Sequence, residues 1–268
     1  MANELVDNFV ANLNILDGEI DRISRGADDI KQAFSAIKTI PEGTKINQLA
    51  SYIDFYGAKI VPGNKEPIKT MNGAEYYGTV SAAQLGTFQD GKSVTGSNFS
   101  AACKITDGTA FNDVITWHKF KFNDEVILIA EKPIRYAIAW MHIARAGCVF
   151  GQRKLKIGGL NYKVSLLRGM TKEINSSAAL DEASEWNRLL VPLISGQYAS
   201  WGTNKSAADL GIVSGNGGYS WCQETTSESS NSNYRLLIGY SSPVYAYYGS
   251  VDSTSTGFGF RPALRFTF

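Results

Sequence analysis

The chain of 268 residues lacks the features that identify many common classes of protein. It has two histidines and three cysteines, and Cys103, Cys148 and Cys222 are too widely spaced for a zinc motif or a disulfide framework. We expect all three to be small buried apolar residues. The formal net charge is +1, which gives no overall field to attract nucleic acid or an anionic membrane. We therefore predict no nucleic-acid partner. No apolar run approaches the length of a membrane span, so we also predict no membrane insertion.

Motifs of catalysis and cofactor binding are also missing from the sequence. It has no nucleophile elbow, P-loop or dinucleotide fingerprint. Asp181, Glu182 and Glu185 cluster on one predicted helix, where we expect a solvated face. The N-terminus has no basic segment, so we expect no secretory signal and assembly in a cytoplasm. We predict no catalytic residue, no metal site and no cofactor.

The first forty residues have the pattern of a coiled coil. Their apolar residues alternate at three- and four-residue spacing, as heptad a and d positions do, until Pro41 ends the pattern. Isoleucine at d positions favours three or four strands, so we predict a parallel homotrimeric stalk over residues 1–40. The alternative is two short helices, separated at Gly26, that fold against the body. The seam consists of Val6, Phe9, Leu13, Leu16, Ile20, Ile23, Ala27, Ile30, Phe34 and Ile37.

The residue pattern in the rest of the chain predicts short helices and strands. Residues 41–60 have the pattern of a short capping helix and a linker, and residues 61–132 that of a β-rich connecting region. Trp186 lies on an amphipathic helix predicted over 180–194. Strands are predicted over 76–80, 117–129, 219–224, 235–239 and 260–268, a helix over 139–146, and a hairpin over 154–167.

The second half of the chain resembles a known fold in the order of its motifs. The helix with Trp186 is followed by Tyr-Ser-Trp-Cys-Gln-Glu at 219–224, Arg-Leu-Leu-Ile-Gly-Tyr-Ser at 235–241 and Gly-Phe-Arg-Pro at 259–262. This order is similar to that of C-type-lectin-like domains in formylglycine-generating enzymes and in the variable ligand-binding proteins of diversity-generating retroelements. Those domains have Arg and Gly where this chain has Ile238 and Tyr240. The resemblance implies a C-type-lectin-like domain over 133–268.

The Gly-Phe-Arg-Pro step also has a physical interpretation. A closing strand can bury Phe260 and Leu264, whereas Arg261 then needs a buried carbonyl or carboxylate partner. Gly259 permits close backbone approach, and Pro262 limits the strand to an edge or bulge position. We therefore predict a structural role for this step.

The whole chain resembles the small virion structural proteins of tailed phages, which combine a heptad helix, a step such as Gly-Thr-Lys-Ile at 43–46 and a distal domain. The implied fold class is α+β, with a trimeric coiled-coil stalk followed by a mixed, loop-rich C-type-lectin-like domain. The resemblance also implies assembly in the host bacterial cytoplasm, a place in the virion, and contacts of the stalk with other virion proteins.

Residues 199–268 have the composition of an adaptable binding surface, with few charges and many Tyr, Ser and Gly residues. Tyr245, Tyr247 and Tyr248 lie close together in sequence. Because successive strand residues face opposite sides, some of these tyrosines could instead lie in the core. Trp186 and Trp221 are predicted core residues. The candidate ligand-binding residues are Tyr245, Tyr247, Tyr248, Tyr219, Trp201 and Asn216.

These features predict a non-enzymatic phage fibre or spike protein. As a homotrimer it would attach to a host-surface glycan or protein and gain avidity from three copies of a weak site. One alternative is a purely architectural head-fibre, collar or baseplate component. The other is an enzyme, either a glycan hydrolase or an oxidase of the formylglycine type.

Overall fold

The computed structural model describes residues 58, 60–169, 184–195, 200–225 and 233–267. The chain divides into two compact units, one of Met1–Ile60 with Phe268 and one of Val61–Thr267. The predicted stalk over 1–40, its seam residues and nearly all of the predicted capping segment lie outside the described residues.

Two β-sheets form the second unit, and strands account for 40% of the described residues against 17% in helices. The first sheet contains, in spatial order, β1 (Lys69–Met71), β2 (Ala74–Ser81), β4 (Thr116–Phe122), β5 (Glu125–Ala130), β13 (Ala263–Thr267), β8 (Leu160–Ser165) and β7 (Phe150–Ile157). The second contains β11 (Ala246–Ser250), β10 (Tyr234–Gly239), β9 (Tyr219–Thr225), β12 (Phe258–Phe260), β6 (Arg135–Tyr136) and β3 (Thr109–Ala110). Among these neighbours, β9 and β12 run parallel and the other pairs are antiparallel.

The helices of the described part are short. They are α1 (Ala82–Leu85), α2 (Gly96–Ala102) and α3 (Trp140–Arg145), the last close to its predicted bounds. Ser81 and Gln84 form a capping box at the start of α1. A π-helical turn covers Trp186–Leu190, and 3₁₀ turns cover Val191–Leu193 and Ala208–Leu210. Within these ranges, no helix is long and apolar enough to cross a membrane.

The main hydrophobic cluster lies where the two sheets and the π-helical turn meet. Side chains from the first sheet, such as Phe120 and Ile129, join Leu236 and Ile238 of the second sheet. Trp186 is fully buried in this cluster, as predicted. Trp221 is also buried, and so are all three cysteines, which confirms the prediction that they are small core residues.

Residues 258–267 join the two sheets to each other. β12 lies in the second sheet between β9 and β6, whereas β13 lies in the first sheet between β5 and β8. Pro262 falls in the break between these two strands, and Phe260 and Leu264 are buried, as predicted. A Cβ atom on Gly259 would lie 2.8 Å from the Tyr219 carbonyl oxygen, so the predicted close approach is present.

The predicted boundary at residue 133 does not separate two folding units. Strands from 61–132 and from 133–267 alternate within both sheets, because β13 pairs with β5 and β12 pairs with β6, which also pairs with β3. The division was wrong because composition along the chain does not report pairing between segments that are distant in sequence.

Arg261 has the buried carbonyl partners that the sequence predicted. Its Nε donates to Ser220 Oγ at 3.0 Å, and its Nη1 donates to the Ala130 carbonyl at 3.2 Å and to the Glu131 carbonyl. Its Nη2 donates to the Leu210 carbonyl. Burial lowers the pKa of Arg261 to about 9, so the guanidinium remains protonated at neutral pH. The side chain therefore ties both sheets to the 208–210 turn.

Glu185 is buried, which corrects the prediction of a solvated acidic face. Its carboxylate accepts hydrogen bonds from Arg265 Nη2 and, at 2.9 Å, from the backbone N–H of Arg168. The prediction failed because it assumed a regular α-helix, whereas the described residues that follow Glu185 form π-helical and 3₁₀ turns. Asp181 and Glu182 lie outside the described residues.

Candidate ligand-binding site

Four tyrosines meet at one end of the second sheet, and we call them the tyrosine cluster. Tyr219 begins β9, Tyr240 directly follows β10, and Tyr245 and Tyr247 lie at the start of β11. Antiparallel pairing brings these strand ends to the same edge. The rings of Tyr219 and Tyr240 stack with centroids 4.8 Å apart and an interplanar angle of 10°. Tyr245 and Tyr247 lie 6.1 Å and 5.5 Å from the Tyr219 ring.

The cluster has a buried centre and an exposed rim. Tyr219 is 9% exposed, whereas Tyr245 and Tyr247 are 41% and 45% exposed. Beneath them, the Phe258 ring meets Tyr219 edge-on at 5.9 Å and Trp221 edge-on at 5.0 Å. Such aromatic pairs hold their partners in fixed geometry. Tyr245 and Tyr247 therefore present ring surface to solvent from a rigid aromatic base.

Tyr247 and Tyr248 point to opposite faces of the second sheet. Tyr247 pairs with Leu237, which pairs with Trp221, so these three side chains share the face that carries the cluster. Tyr248 points to the opposite face and packs against the main hydrophobic cluster. Tyr248, a predicted ligand-binding residue, is therefore half-buried on the core face of the sheet and does not join the tyrosine cluster.

Trp201, another predicted ligand-binding residue, lies in the core and not in the tyrosine cluster. It is buried, its Nε1 donates to the Leu189 carbonyl at 3.0 Å, and its ring packs 5.8 Å from that of Tyr76. The indole fills the core beside the first sheet, where its ring packs on apolar side chains and its N–H donates to the Leu189 carbonyl of the π-helical turn.

Asn216 is exposed on the loop 211–218, which borders the tyrosine cluster. The backbone N–H of Tyr240 donates to the Gly218 carbonyl at 2.7 Å, which fixes the loop beside the Tyr219–Tyr240 stack. A Cβ on Gly218 would lie 1.9 Å from the Val213 carbonyl oxygen, so the loop path requires glycine at that position. The predicted residues Tyr219, Tyr245, Tyr247 and Asn216 therefore share one region of the surface.

Tyr240 is the member of the cluster that the sequence prediction missed. Its φ of +74° places it in the left-handed region, which glycine favours and which costs other residues about 1 kcal/mol or more. The sequence held a sign of this conformation, because the C-type-lectin-like motif that it resembles has glycine where this chain has Tyr240. The stack on Tyr219 and the hydrogen bond from the Tyr240 N–H to Gly218 are the contacts that hold the side chain in this conformation.

The phenol of Tyr219 at the centre of the cluster carries no charge at neutral pH. Burial raises the pKa of Tyr219 above its ordinary value, and the nearby Tyr245, which shares a hydrogen bond with it, raises it further. Its hydroxyl group therefore acts as a neutral donor and acceptor. The site is suited to stacking and hydrogen bonding rather than to acid–base chemistry.

A second polar cluster lies at the edge of the core. Tyr76 Oη is 3.1 Å from His118 Nδ1, and the Glu131 carboxylate is 3.0 Å from His118 Nε2 and 2.7 Å from Lys205 Nζ. Burial would raise the pKa of Glu131, but its hydrogen bonds with His118 and Lys205 lower it to about 2. Burial, then Glu131, raises the pKa of Tyr76 to about 12. Because Tyr76 and His118 are buried, these hydrogen bonds satisfy polar groups of the core.

The cysteines do not form a reactive site. Burial raises the pKa of Cys222 well above its ordinary value, which disfavours the nucleophilic thiolate. Burial also raises the pKa of Cys103, whose thiol is hydrogen-bonded to Cys148. In the part of the chain that the structure describes, no group of three or more His, Cys, Asp or Glu residues is placed to hold a metal ion.

Comparison of the chain with protein families, with curated proteins and with solved structures finds no match in any of the three. The resemblance to C-type-lectin-like domains and to phage virion proteins therefore stays a prediction from the sequence motifs.

Proposed function

We propose that this protein is a homotrimeric fibre or spike protein of a phage virion that attaches to a ligand on the host surface through the tyrosine cluster. The observation that carries the binding role is the exposure of Tyr245 and Tyr247 on a rigid base of buried rings. Exposed aromatic groups of this kind are typical of interaction surfaces. The virion assignment is supported by the heptad seam and by the sequence resemblance.

The rigidity of the cluster favours binding. The strained backbone of Tyr240, the hydrogen bond from its N–H to Gly218 and the stack on Tyr219 hold the rings in place before a ligand arrives. Little side-chain entropy is then lost on binding. Three such surfaces on one stalk would bind a repetitive host surface with avidity.

Catalysis is less well supported than binding. An oxidase of the formylglycine type needs a reactive cysteine pair, and the thiol of Cys222 is fully buried with a raised pKa. A glycan hydrolase needs two carboxylates that face each other across a cleft. Near the cluster, the segments 211–219 and 236–251 contain neither Asp nor Glu.

The test is the binding of the purified full-length chain to a panel of bacterial strains, measured by flow cytometry. We expect the wild type to bind a subset of strains and a Tyr245→Ser, Tyr247→Ser double variant to lose at least about tenfold in apparent affinity. The matched control is Tyr234→Ser, since Tyr234 is 37% exposed and begins β10 of the same sheet. We expect the control to bind as the wild type does.

The architectural alternative predicts a different result. If the wild type binds no strain, and a map of the intact particle shows the tyrosine cluster covered by another virion protein, attachment is excluded and the cluster is an assembly contact. Circular dichroism of each variant would show whether lost binding reflects lost folding.

A further inference from the structure

We infer that the ligand of the tyrosine cluster is a neutral oligosaccharide, held by stacking of sugar rings and by hydrogen bonds to uncharged groups. This inference rests on the proposed function and names the chemical class of its ligand. It follows from the charge and the side-chain chemistry of the surface around the cluster and from a second aromatic pair beside it.

The surface around the cluster has no charged side chains in its main segments. Residues 211–219, 236–251 and 253–260 contain no Asp, Glu, Lys, Arg or His. Asp252, which lies between two of them, accepts a hydrogen bond from Ser250 Oγ. An anionic group on the ligand would lose hydration here and would meet the carboxylate of Asp252 rather than an opposite charge, and a cationic group would find only that one carboxylate. A neutral ligand has no such cost.

The groups that the surface does offer match a sugar. The rings of Tyr245 and Tyr247 present electron-rich faces, which attract the partly positive C–H groups on the apolar side of a pyranose. The exposed side chains around them include, beside Val213, Val244 and Asp252, small hydroxyls and an amide, which donate to and accept from sugar hydroxyls. These hydroxyls and this amide belong to Ser214, Asn216, Ser241, Thr254, Ser255 and Thr256.

A protein partner fits this surface less well. Protein interfaces combine an apolar centre with a polar rim, and charged groups in the rim set orientation and specificity. The charge that this stretch of the surface supplies for such a rim is the single exposed carboxylate of Asp252. A neutral glycan brings hydroxyl groups instead.

A second aromatic pair borders the same loop as the tyrosine cluster. Phe111, 43% exposed, meets the Tyr136 ring edge-on with centroids 5.3 Å apart. A Cβ on Gly217 would lie 3.3 Å from Tyr136 Cβ and 3.5 Å from Phe111 Cδ1. The loop that borders the Tyr219–Tyr240 stack thus also borders a second aromatic pair. An oligosaccharide could contact both, with the loop hydroxyls between them.

The experiment uses a bacterial strain that the full-length protein binds. In one arm, cells are treated either with periodate, which cleaves vicinal diols of sugars, or with protease. In the other arm, binding to untreated cells is measured at about 0.1 M and about 1 M salt, between which the Debye length falls from about 10 Å to about 3 Å. We expect periodate to abolish binding, protease to leave it intact, and salt to change the affinity by less than about twofold, since the ligand is uncharged.

Variants test the stacking directly. Tyr247→Phe keeps the ring and should retain most of the binding, whereas Tyr247→Ser should weaken it about tenfold, as loss of one aromatic contact predicts. Phe111→Ser should weaken binding of cells by a smaller factor, and Tyr234→Ser should have no effect. The purified polysaccharide of the strain should compete with the cells for wild-type protein.

Each other outcome has a distinct meaning. Binding that protease abolishes, or that falls steeply with salt, overturns the neutral-glycan inference and leaves attachment as the function. Binding that is unchanged in Phe111→Ser overturns the extended ligand. If the protein binds no strain of the panel, the proposed function itself fails.

Discussion

Arg265 Nη2 lies 2.8 Å from Oε1 and 2.7 Å from Oε2 of Glu185, and this buried ion pair joins β13 to the π-helical turn. Arg265 also donates to Ser165 Oγ and to the carboxylate of Glu125. The pair therefore connects segments that lie 80 residues apart in sequence. Its stabilising effect depends on both charges being present, because Arg265 alone would keep only the half-exposed Glu125 as a counter-charge, and Glu185 alone only the half-exposed Arg168.

Replacement of Glu185 by Gln should lower the free energy of unfolding by about 3 kcal/mol, because the guanidinium of Arg265 would lose its buried counter-charge. Urea denaturation followed by circular dichroism measures the change. The control is Glu125→Gln, which removes the half-exposed partner of Arg265 and should cost less than about 1 kcal/mol. Equal losses in the two variants would contradict the dominant role of Glu185.

Acid should destabilise the protein in two steps. The folded-state pKa of Glu131 is about 2, below its ordinary value of 4.5. Between these two pH values the unfolded state binds more protons than the folded state. The free energy of unfolding therefore falls as the pH drops from 4.5 to 2. Burial also lowers the pKa of His118, so its protonation disfavours folding as the pH falls below 6.5. In Glu131→Gln the step between 4.5 and 2 should be smaller. Urea midpoints across this range measure it, and an unchanged slope would refute the assignment.

Substitutions at Tyr240 should separate backbone strain from ring contacts. Both Tyr240→Gly and Tyr240→Ala remove the stack on Tyr219, but only glycine adopts a φ of +74° without cost. We expect the glycine variant to be more stable than the alanine variant by about 1 kcal/mol, the reverse of the order at ordinary positions. Both should bind cells more weakly than the wild type. Thermal denaturation and flow cytometry would provide the comparison.

The thiols should be unreactive in the native protein. Cys103, Cys148 and Cys222 are all buried, and burial raises the pKa of Cys103 and of Cys222. A thiol reagent such as Ellman's reagent should detect no cysteine before denaturation and all three afterwards. Cys222→Ala should bind cells as the wild type does. A thiol that reacts rapidly in the folded state would reopen the oxidase hypothesis.

The seam over residues 1–40 should hold three chains together. Sedimentation equilibrium of the full-length protein should give three times the chain mass of 29.2 kDa. Ile23→Asp with Ile30→Asp places charges at two d positions and should yield monomers. The monomeric variant should keep its β-sheet circular dichroism and lose avidity for cells. A monomeric wild type at micromolar concentration would refute the trimer.

Local patterns predicted most strands of the body, whereas contacts between distant segments were not predictable. The Gly158–Gly159 turn gave the β7–β8 hairpin near its observed bounds, whereas the single strand predicted over 117–129 is the antiparallel pair β4 and β5, with a turn at Asn123 and Asp124. The Gly-Phe-Arg-Pro step correctly implied buried neighbours for Arg261, because a guanidinium in a core requires acceptors.

The composition identified the region of the candidate site but not all of its members. Tyr247 and Tyr248 are adjacent in sequence, and only strand register shows which one faces solvent. Trp201 is buried with its indole N–H bonded to the Leu189 carbonyl, and Glu185 is buried with Arg265 as its partner. Glu185 and Arg265 are 80 residues apart, so no short window of sequence contains both. Tyr240 was missed because aromatic residues rarely occupy left-handed backbone positions.

The place of β13 in the first sheet affects how the protein is made. β5 and β8, which flank it, leave the ribosome long before it does. Until β13 emerges, both neighbours have an unpaired edge that can join strands of other chains. Translation that stops before residue 263 should therefore yield aggregates rather than a shortened working protein, and cells that produce this chain at high rates should need chaperones to shield the gap.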